Sequence, residues 1–398
     1  MHLFAFKMLQ LSPHVFANMR RLQFLDFHCE YNEGCMDVFP QGIPSLPSEL
    51  RYLRWTNFPL KSLPKDFLTK KLVILDLSYS QVEKLWHEVQ NLVNSKEVEL
   101  HGSTFLKDIS NIRDDDFRLC DQLTNVYPSI LSLDKLEKLD LNHTLLTILT
   151  RATYLSTLSY LDFGFCHIEL GYMDTIEFDS YFGLQSNLQI LHLRGSGVES
   201  LPLSIKNLRR LRYLDVSYCR GLQTLPQLPP SLEALLATEC SSLKTVLFPS
   251  VAEQFEEDRK RVEFWNCFIL DEPSVAAIEL NAQINVKKFA FQHLSALEHS
   301  NAEYYNDYNY YYDSYQATYL YPGRRVPEWL DYKTTEDYIL IDLSSTPRSS
   351  PLGFVFCFIV GEDPLIGLGL KFILSISDDE GEGNEENIEI YMSREFVK

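Results

Sequence analysis

A leucine pattern recurs along the first two thirds of the chain and leaves it few folds to choose from. Leu72-Val-Ile-Leu75-Asp-Leu77 is followed by Ser80, and Leu136-Glu-Lys-Leu139-Asp-Leu141 by Thr144. Leu188-Gln-Ile-Leu191-His-Leu193 is followed by Ser196, and Leu211-Arg-Tyr-Leu214-Asp-Val216 by Cys219. Looser copies begin at Leu22, Leu50, Ser95, Leu158 and Leu232. The intervals between these starts are 28, 22, 23, 41, 22, 30, 23 and 21 residues. A repeat of about 20–29 residues with this leucine spacing is one strand plus a return segment. One such rung cannot bury its apolar side alone, so rungs must stack.

The spacing therefore predicts an α/β leucine-rich-repeat solenoid with parallel strands and irregular or short-helical returns. The 41-residue interval predicts an irregular repeat hidden near residues 121–133, with Asp114-Asp115-Asp116 in a solvated loop. Leu-Pro pairs at 46–47, 63–64, 201–202 and 225–226 suit tight return bends, because proline fixes φ and lacks a donor. Cys166, Cys219 and Cys240 share the slot after the strand, where a small side chain packs inside the stack.

The residues between the inward leucines face outward, since side chains alternate along a strand. One outward column reads Asp26, Arg54, Asp76, Glu99, Asp140, Asp162, His192, Asp215 and Leu236. The other reads Phe24, Tyr52, Ile74, Glu97, Lys138, Tyr160, Ile190, Tyr213 and Ala234. Two readings of the acidic column stand: a negative stripe for a partner, or carboxylates that hydrogen-bond neighbouring rungs. Large rings on one face point to protein binding. The candidate contact residues are Phe24, Tyr52, Asp76, Asp140, Tyr160, Asp162, Tyr213 and Asp215, joined by Tyr304, Tyr305, Tyr310 and Tyr311. The last four lie in residues 304–321, which hold nine tyrosines and read as a surface loop. With Asp140 exposed, Asp140→Asn should lie within about 0.5 kcal/mol of neutral.

Charge divides the chain. Residues 1–249 carry 24 Lys+Arg and 28 Asp+Glu, a net of −4, whereas residues 250–398 carry 12 and 27, a net of −15. The expected division is an edge or cap over 1–21, repeats over 22–249 and a second domain over 250–398. Residues 251–261 read as a helix. Runs at 262–268, 286–291, 338–343, 353–360, 370–376 and 388–392 then read as strands of an antiparallel sandwich. Residues 378–389 hold seven acids and read as a solvated hairpin tip.

The formal net charge of −19 argues against nucleic acid or an anionic membrane as partner. The longest strongly apolar stretch, 353–360, is far short of a membrane span. Lys7 and Pro13 interrupt the start, so no signal peptide is expected, and the cysteines form no Cys-x-x-Cys pair. No phosphate loop, His-Glu-x-x-His, Gly-x-Ser-x-Gly or Gly-x-Gly-x-x-Gly is present. The chain reads as a binding protein rather than an enzyme, with no cofactor and no metal.

Four segments carry a family resemblance. Leu11-Ser-Pro-His-Val-Phe-Ala-Asn-Met-Arg-Arg-Leu22-Gln-Phe-Leu-Asp-Phe27 resembles the start of the repeat region in plant TIR-NBS-LRR disease-resistance receptors. Leu228-Pro-Pro-Ser-Leu-Glu-Ala-Leu235 with Cys240-Ser-Ser-Leu243 resembles their closing repeat, and Val262-Glu-Phe-Trp-Asn-Cys-Phe268 the strand after it. Tyr321-Pro-Gly-Arg-Arg-Val-Pro-Glu-Trp-Leu330 with Leu352-Gly-Phe-Val-Phe-Cys357 resembles their C-terminal jelly-roll/Ig-like domain. The resemblance implies the sensing part of an intracellular immune receptor, cytoplasmic or nuclear. Its partner would be a pathogen effector or a guarded host protein, with TIR-NBS-containing chains as further partners. The NADase and ATPase of that family have no matching residues here. The other reading is a truncated regulator, decoy or non-functional fragment of such a receptor.

Overall fold

The computed structural model describes residues 2–4, 12–28 (less 13 and 17), 43–67 (less 66), 70–83, 85, 94–106, 125–126, 135–143, 148–149, 157–166, 186–297, 317–334 (less 324), 355, 357, 370–374 and 388–392. In chain order the strands are β1 (His2–Phe4), β2 (Phe24–His28), β3 (Tyr52–Thr56), β4 (Ile74–Asp76), β5 (Glu97–Glu99) and β6 (Asn125–Val126). Next come β7 (Lys138–Asp140), β8 (Ile148–Leu149), β9 (Tyr160–Asp162), β10 (Ile190–His192), β11 (Tyr213–Asp215) and β12 (Thr224–Leu225). The last six are β13 (Ala234–Leu236), β14 (Thr245–Val246), β15 (Arg261–Glu263), β16 (Thr318–Leu320), β17 (Leu370–Leu374) and β18 (Ile388–Met392). Among the described residues the α-helices are α1 (Val251–Gln254) and α2 (Glu272–Leu297).

The chain divides into two units, one of Met1–Gly323 with Glu336–Val355, the other of Arg324–Thr335 with Phe356–Lys398. The first is a parallel-strand solenoid. Among the described residues its main sheet has twelve strands in the order β1-β2-β3-β4-β5-β7-β9-β10-β11-β13-β15-β16. All nine rungs read from the leucines form a strand at the same offset from their start, and Leu25, Leu53, Leu75, Val98, Leu139, Leu161, Leu191, Leu214 and Leu235 line up inside it. Each of these side chains is buried. Ser95 takes the first leucine's slot in its rung, and its hydroxyl donates to the Leu72 carbonyl one rung back at 3.1 Å.

Three expectations are corrected. β5 pairs directly with β7, Glu97 opposite Lys138, so the 41-residue interval adds no rung to the main sheet. The strand within it, β6, pairs instead with β8. Residues 286–291 are helical, not a strand. They lie within α2, whose buried Ser274, Ile278, Asn281, Ala282 and Asn285 follow a helical period and whose Ser274 N–H is accepted by Asp271 at 2.9 Å. Third, residues 262–268 open no sandwich. β15 pairs in parallel with β13, and β16 with β15, so the ladder runs past residue 249 to Leu320. Between them α1 covers only the first four residues of the stretch expected to be helical.

The reason is visible at Arg259. It stands where the other rungs carry their first leucine, two residues before the strand, and it is 2% exposed at the side chain. Glu257 neutralises it through two bonds, Nε to Oε2 at 2.9 Å and Nη2 to Oε1 at 2.7 Å. Asn281 of α2 donates to the same Glu257 Oε2 at 2.6 Å, and Tyr319 of β16 donates to Asn281 Oδ1 at 3.0 Å. The network fastens α2 and β16 to the end of the ladder.

Inside the stack, four thiols occupy one column. Cys166, Cys219, Cys240 and Cys267 donate to the carbonyls of Leu141, Leu193, Val216 and Ala237 one rung back, at 2.9–3.1 Å. Burial raises the Cys219 thiol to about 11, so it stays protonated and able to donate.

Strand ends are held by a second repeating device. Asn57, Tyr79, Gly102, His143, Phe165, Gly195, Tyr218, Glu239 and Asn266 all have φ between 53° and 67°. Each lies three residues after the outward acidic-column slot. The N–H groups of all but Asn266 bond the next rung, for example Phe165 to the Arg194 carbonyl and Tyr218 to the Thr238 carbonyl. Glycine is required twice: a methyl at Gly102 would lie 2.5 Å from Tyr79 Cδ1, and one at Gly195 would overlap the Phe165 ring. Gly195→Ala is expected to lower stability by about 1–2 kcal/mol or more, whereas Gly221→Ala, which has no such φ, should cost far less. Urea midpoints for the two variants check this, and equal shifts would contradict the turn geometry.

The second unit contains β17 and β18, paired antiparallel with Leu370 opposite Met392. The expected strands at 370–376 and 388–392 are these two. Residues 304–316, 338–343, 353–360 except 355 and 357, and 375–387 lie outside the described residues, and with them Tyr304, Tyr305, Tyr310 and Tyr311.

Candidate functional site

Parallel register sets the outward columns side by side. Phe24, Tyr52, Ile74, Glu97, Lys138, Tyr160, Ile190, Tyr213 and Ala234 are successive Cα partners, and so are Asp26, Arg54, Asp76, Glu99, Asp140, Asp162, His192, Asp215 and Leu236. β15 extends both columns with Arg261 and Glu263.

Rings gather at two places. Phe24, 57% exposed, packs against Tyr52 with ring centroids 6.0 Å apart. Further along, Lys138 Nζ lies 5.2 Å from the Tyr160 ring centre, Tyr160 lies 5.6 Å from His192, and His192 lies 4.8 Å from Tyr213. The second group is a continuous half-buried strip across four rungs. Burial raises the Tyr160 hydroxyl well above its ordinary range, and that O–H donates to Asp162 Oδ2 at 3.3 Å.

The acidic column is not an exposed stripe. Asp76, Asp162 and Asp215 are buried. Each carboxylate accepts the N–H two residues on: Ser78 to Asp76 at 3.0 Å, Gly164 to Asp162 at 2.7 Å and Ser217 to Asp215 at 2.8 Å. Asp140 does the same for Asn142 at 3.0 Å. These bonds close the turn after the strand, which explains why short Asp fills the slot. Basic residues answer several acids across rungs: Arg54 Nε to Asp76 and Lys138 Nζ to Glu99 at 2.7 Å each. Arg261 pairs with Glu263 at 2.7 Å.

Asp140 differs from the exposed group expected for it. Burial, and then the charge of Asp162, push its carboxyl up to about 6. The folded state thus holds this proton more tightly than the unfolded chain does, and the resulting penalty on the fold grows as pH rises from about 4 through about 6. Asp140→Asn, which keeps an acceptor for Asn142, is expected to raise stability at pH 7 by about 1–3 kcal/mol and to do little at pH 4. Unfolding of both proteins between pH 4 and 8 checks the sign, and a constant difference would contradict it.

Sequence reasoning missed the left-handed turn column. Its rings form a ladder, with His101 filling the place beside Gly102: Tyr79 on His101 at 5.0 Å, His101 on His143 at 5.9 Å and His143 stacked on Phe165 at 4.3 Å. The signal was there, since an aromatic, His, Asn or Gly stands three residues after the acidic slot in eight of the nine described rungs with that φ. Among the described residues no group of three or more His, Cys, Asp or Glu could hold a metal, and no helix is long and apolar enough to cross a membrane.

No family model matches the chain. Three Arabidopsis thaliana proteins are similar to it. Disease resistance protein RPP2A is 36% identical over 228 residues, 55% of this chain and 17% of that protein. Disease resistance protein RML1B is 27% identical over 92% of this chain and 36% of its own length. Disease resistance protein RRS1 is 29% identical over 61% and 20%. The chain thus spans about a sixth to a third of the length of these relatives. Among solved structures, the leucine-rich repeat domain of the type III effector XopL is 19% identical over 58% of this chain and 66% of that one, with a TM-score of 0.35. A Leptospira interrogans LRR protein is 19% identical over 69% and 74%, with a TM-score of 0.37. The sequence likeness is to the curated plant proteins: the chain is homologous to plant TIR-NBS-LRR disease-resistance proteins and represents a partial leucine-rich-repeat region.

Proposed function

We propose that this chain is the protein-recognition portion of a plant innate-immune receptor. The observation that carries the reading is the strip Lys138–Tyr160–His192–Tyr213, where rings and a cation from successive rungs share one face of the sheet. Tyrosines fixed in this way give contact area with few rotatable bonds, the composition from which interface anchors are built. Homology to disease-resistance proteins supports a pathogen effector, or a host protein that an effector modifies, as the partner. TIR-NBS-containing chains are the downstream partners in this reading, and the site of action is cytoplasmic or nuclear. The chain itself acts without a catalytic centre or cofactor. In this reading the residues after the ladder, including β17 and β18, form a jelly-roll/Ig-like domain.

The test fuses the chain behind the TIR-NBS segment of a relative and challenges it in leaf tissue with a panel of effectors. Tyr160→Ala with Tyr213→Ala should abolish the cell-death response to the recognised effector while the isolated chain melts at an unchanged temperature. A full response from that double variant would contradict the assignment of this face.

A further inference from the structure

In a parallel ladder every strand starts at the same side, so the residues just before the strands form one continuous border of the solenoid. The backbone carries that continuity: the Val73 N–H donates to the Arg51 carbonyl, that of Lys96 to Val73 and that of Glu137 to Lys96, at 2.7–2.8 Å. In each of the nine rungs the border comprises the two residues before the first-leucine slot and the one after it. Among the described residues these positions hold ten of the eighteen Lys+Arg of residues 1–249 but three of the thirteen Asp+Glu.

The first five rungs carry most of this charge. Arg20, Arg21, Arg51, Lys70 and Lys71 come from the first three, and Lys96 and Lys135 from the next two; all seven are exposed. Arg209, Arg210 and Arg212 form a second exposed group at the rung of Leu211. Each of the three carboxylates already pairs with a cation of the border: Glu49 with Lys71 at 2.5 Å, Glu137 with Lys96 at 2.6 Å and Glu233 with Arg212 at 2.6 Å. Ten cations less three carboxylates leave seven positive charges in excess among the described residues of the border, on a chain whose formal net charge is −19.

Length and charge together select the occupant. Four strand intervals separate β2 from β7 in the main sheet, so the cations of the first five rungs lie along about 19 Å. Six acidic residues in an extended chain cover about 20 Å and match that run. A longer polyanion does not: a duplex of 20 base pairs extends about 68 Å. It, or a lipid surface, would press its phosphates against the acid-rich remainder of the chain. The arginines of the run suit carboxylates further, because a planar guanidinium takes one through two parallel bonds.

We infer that the strand-start border between Arg20 and Lys135 docks an acidic segment, a run of Asp and Glu residues, of a protein partner. The inference goes beyond the strip between Lys138 and Tyr213 and does not depend on it.

The probe is a fluorescently labelled hexaglutamate peptide, titrated against the full chain by anisotropy at low salt and then coupled with a zero-length carbodiimide. The peptide should bind, and binding should weaken as salt rises. Mass spectrometry should find it joined to Lys70, Lys71, Lys96 and Lys135 in preference to Lys65, Lys206 and Lys244, which are exposed on the repeats away from the border. Arg20→Gln with Arg21→Gln and Lys70→Gln should weaken binding about tenfold, whereas Lys65→Gln with Lys206→Gln and Lys244→Gln, which remove the same charge, should weaken it less than about twofold. Both triple variants should keep the wild-type melting temperature; if the first does not fold, the coupling pattern of the wild type carries the test. Failure of the wild type to bind hexaglutamate, even coupling across the two sets of lysines, or equal weakening by the two folded triple variants would overturn the inference. So would a 20-base-pair DNA duplex or phosphatidylserine vesicles that bind as tightly as the peptide.

Discussion

Leu214→Ala should cost the solenoid about 2–5 kcal/mol, with a correspondingly lower urea midpoint. Leu214 is fully buried in β11, between Leu191 of β10 and Leu235 of β13. Truncation removes most of a side chain that both neighbouring rungs pack against, and a ladder fixed by backbone bonds on each side cannot close the gap. Leu203, 66% exposed on the short 3-10 turn Leu203–Asn207, supplies the contrast. Leu203→Ala should stay within about 0.5 kcal/mol of wild type. Comparable losses from the two changes would mean that the inward column has been misassigned.

The second large effect belongs to the buried ion pair at the end of the ladder. Glu257 is 0% exposed and Arg259 2%. Arg259→Met should destabilise by about 3–5 kcal/mol, because Glu257 would keep a charge in the interior with only Asn281 to hold it. Arg259→Met combined with Glu257→Leu should recover most of that loss, since two apolar groups leave no charge uncompensated. Asn281 would retain Gln254 Oε1, to which it donates at 3.1 Å. Stabilities of the two single variants and the double variant form a cycle. A double variant as damaged as the sum of the singles would show that the pair contributes by packing rather than by mutual neutralisation.

Much of the ladder was legible because leucine spacing states the register directly. A side chain two residues before each strand, one in its middle and one after it fixes which neighbours point outward, and both outward columns followed from that. The same reasoning stopped at residue 249 for a physical cause. The next rung presents Arg259, Val262, Phe264 and Cys267 where the earlier ones present leucines and a small residue, and Arg259 can be buried there because Glu257 pairs with it and Asn281 in turn donates to Glu257. No spacing rule anticipates that three-way arrangement. Outward residues were named correctly but their exposure was not: Asp76, Asp162 and Asp215 are buried because each bonds the turn that follows, a role set by backbone geometry after the strand. The ring ladder of Tyr79, His143, Phe165 and Tyr218 went unread because large side chains at positive φ run against residue preference, and only the repetition of the turn makes the conformation tolerable.

The central claim is a single parallel ladder that crosses residue 249 in register and carries the outward columns with it. Ala234→Cys with Arg261→Cys tests it most directly, because these residues are Cα partners on β13 and β15 and neighbouring strands lie about 4.7–4.9 Å apart. A short bifunctional thiol reagent followed by peptide mass spectrometry should show a 234–261 bridge in high yield, and a much lower yield for Ala234→Cys with Glu263→Cys, two positions out of register. A low yield for the 234–261 pair, or equal yields for both, would contradict the continuous ladder and return residues after 249 to a separate fold.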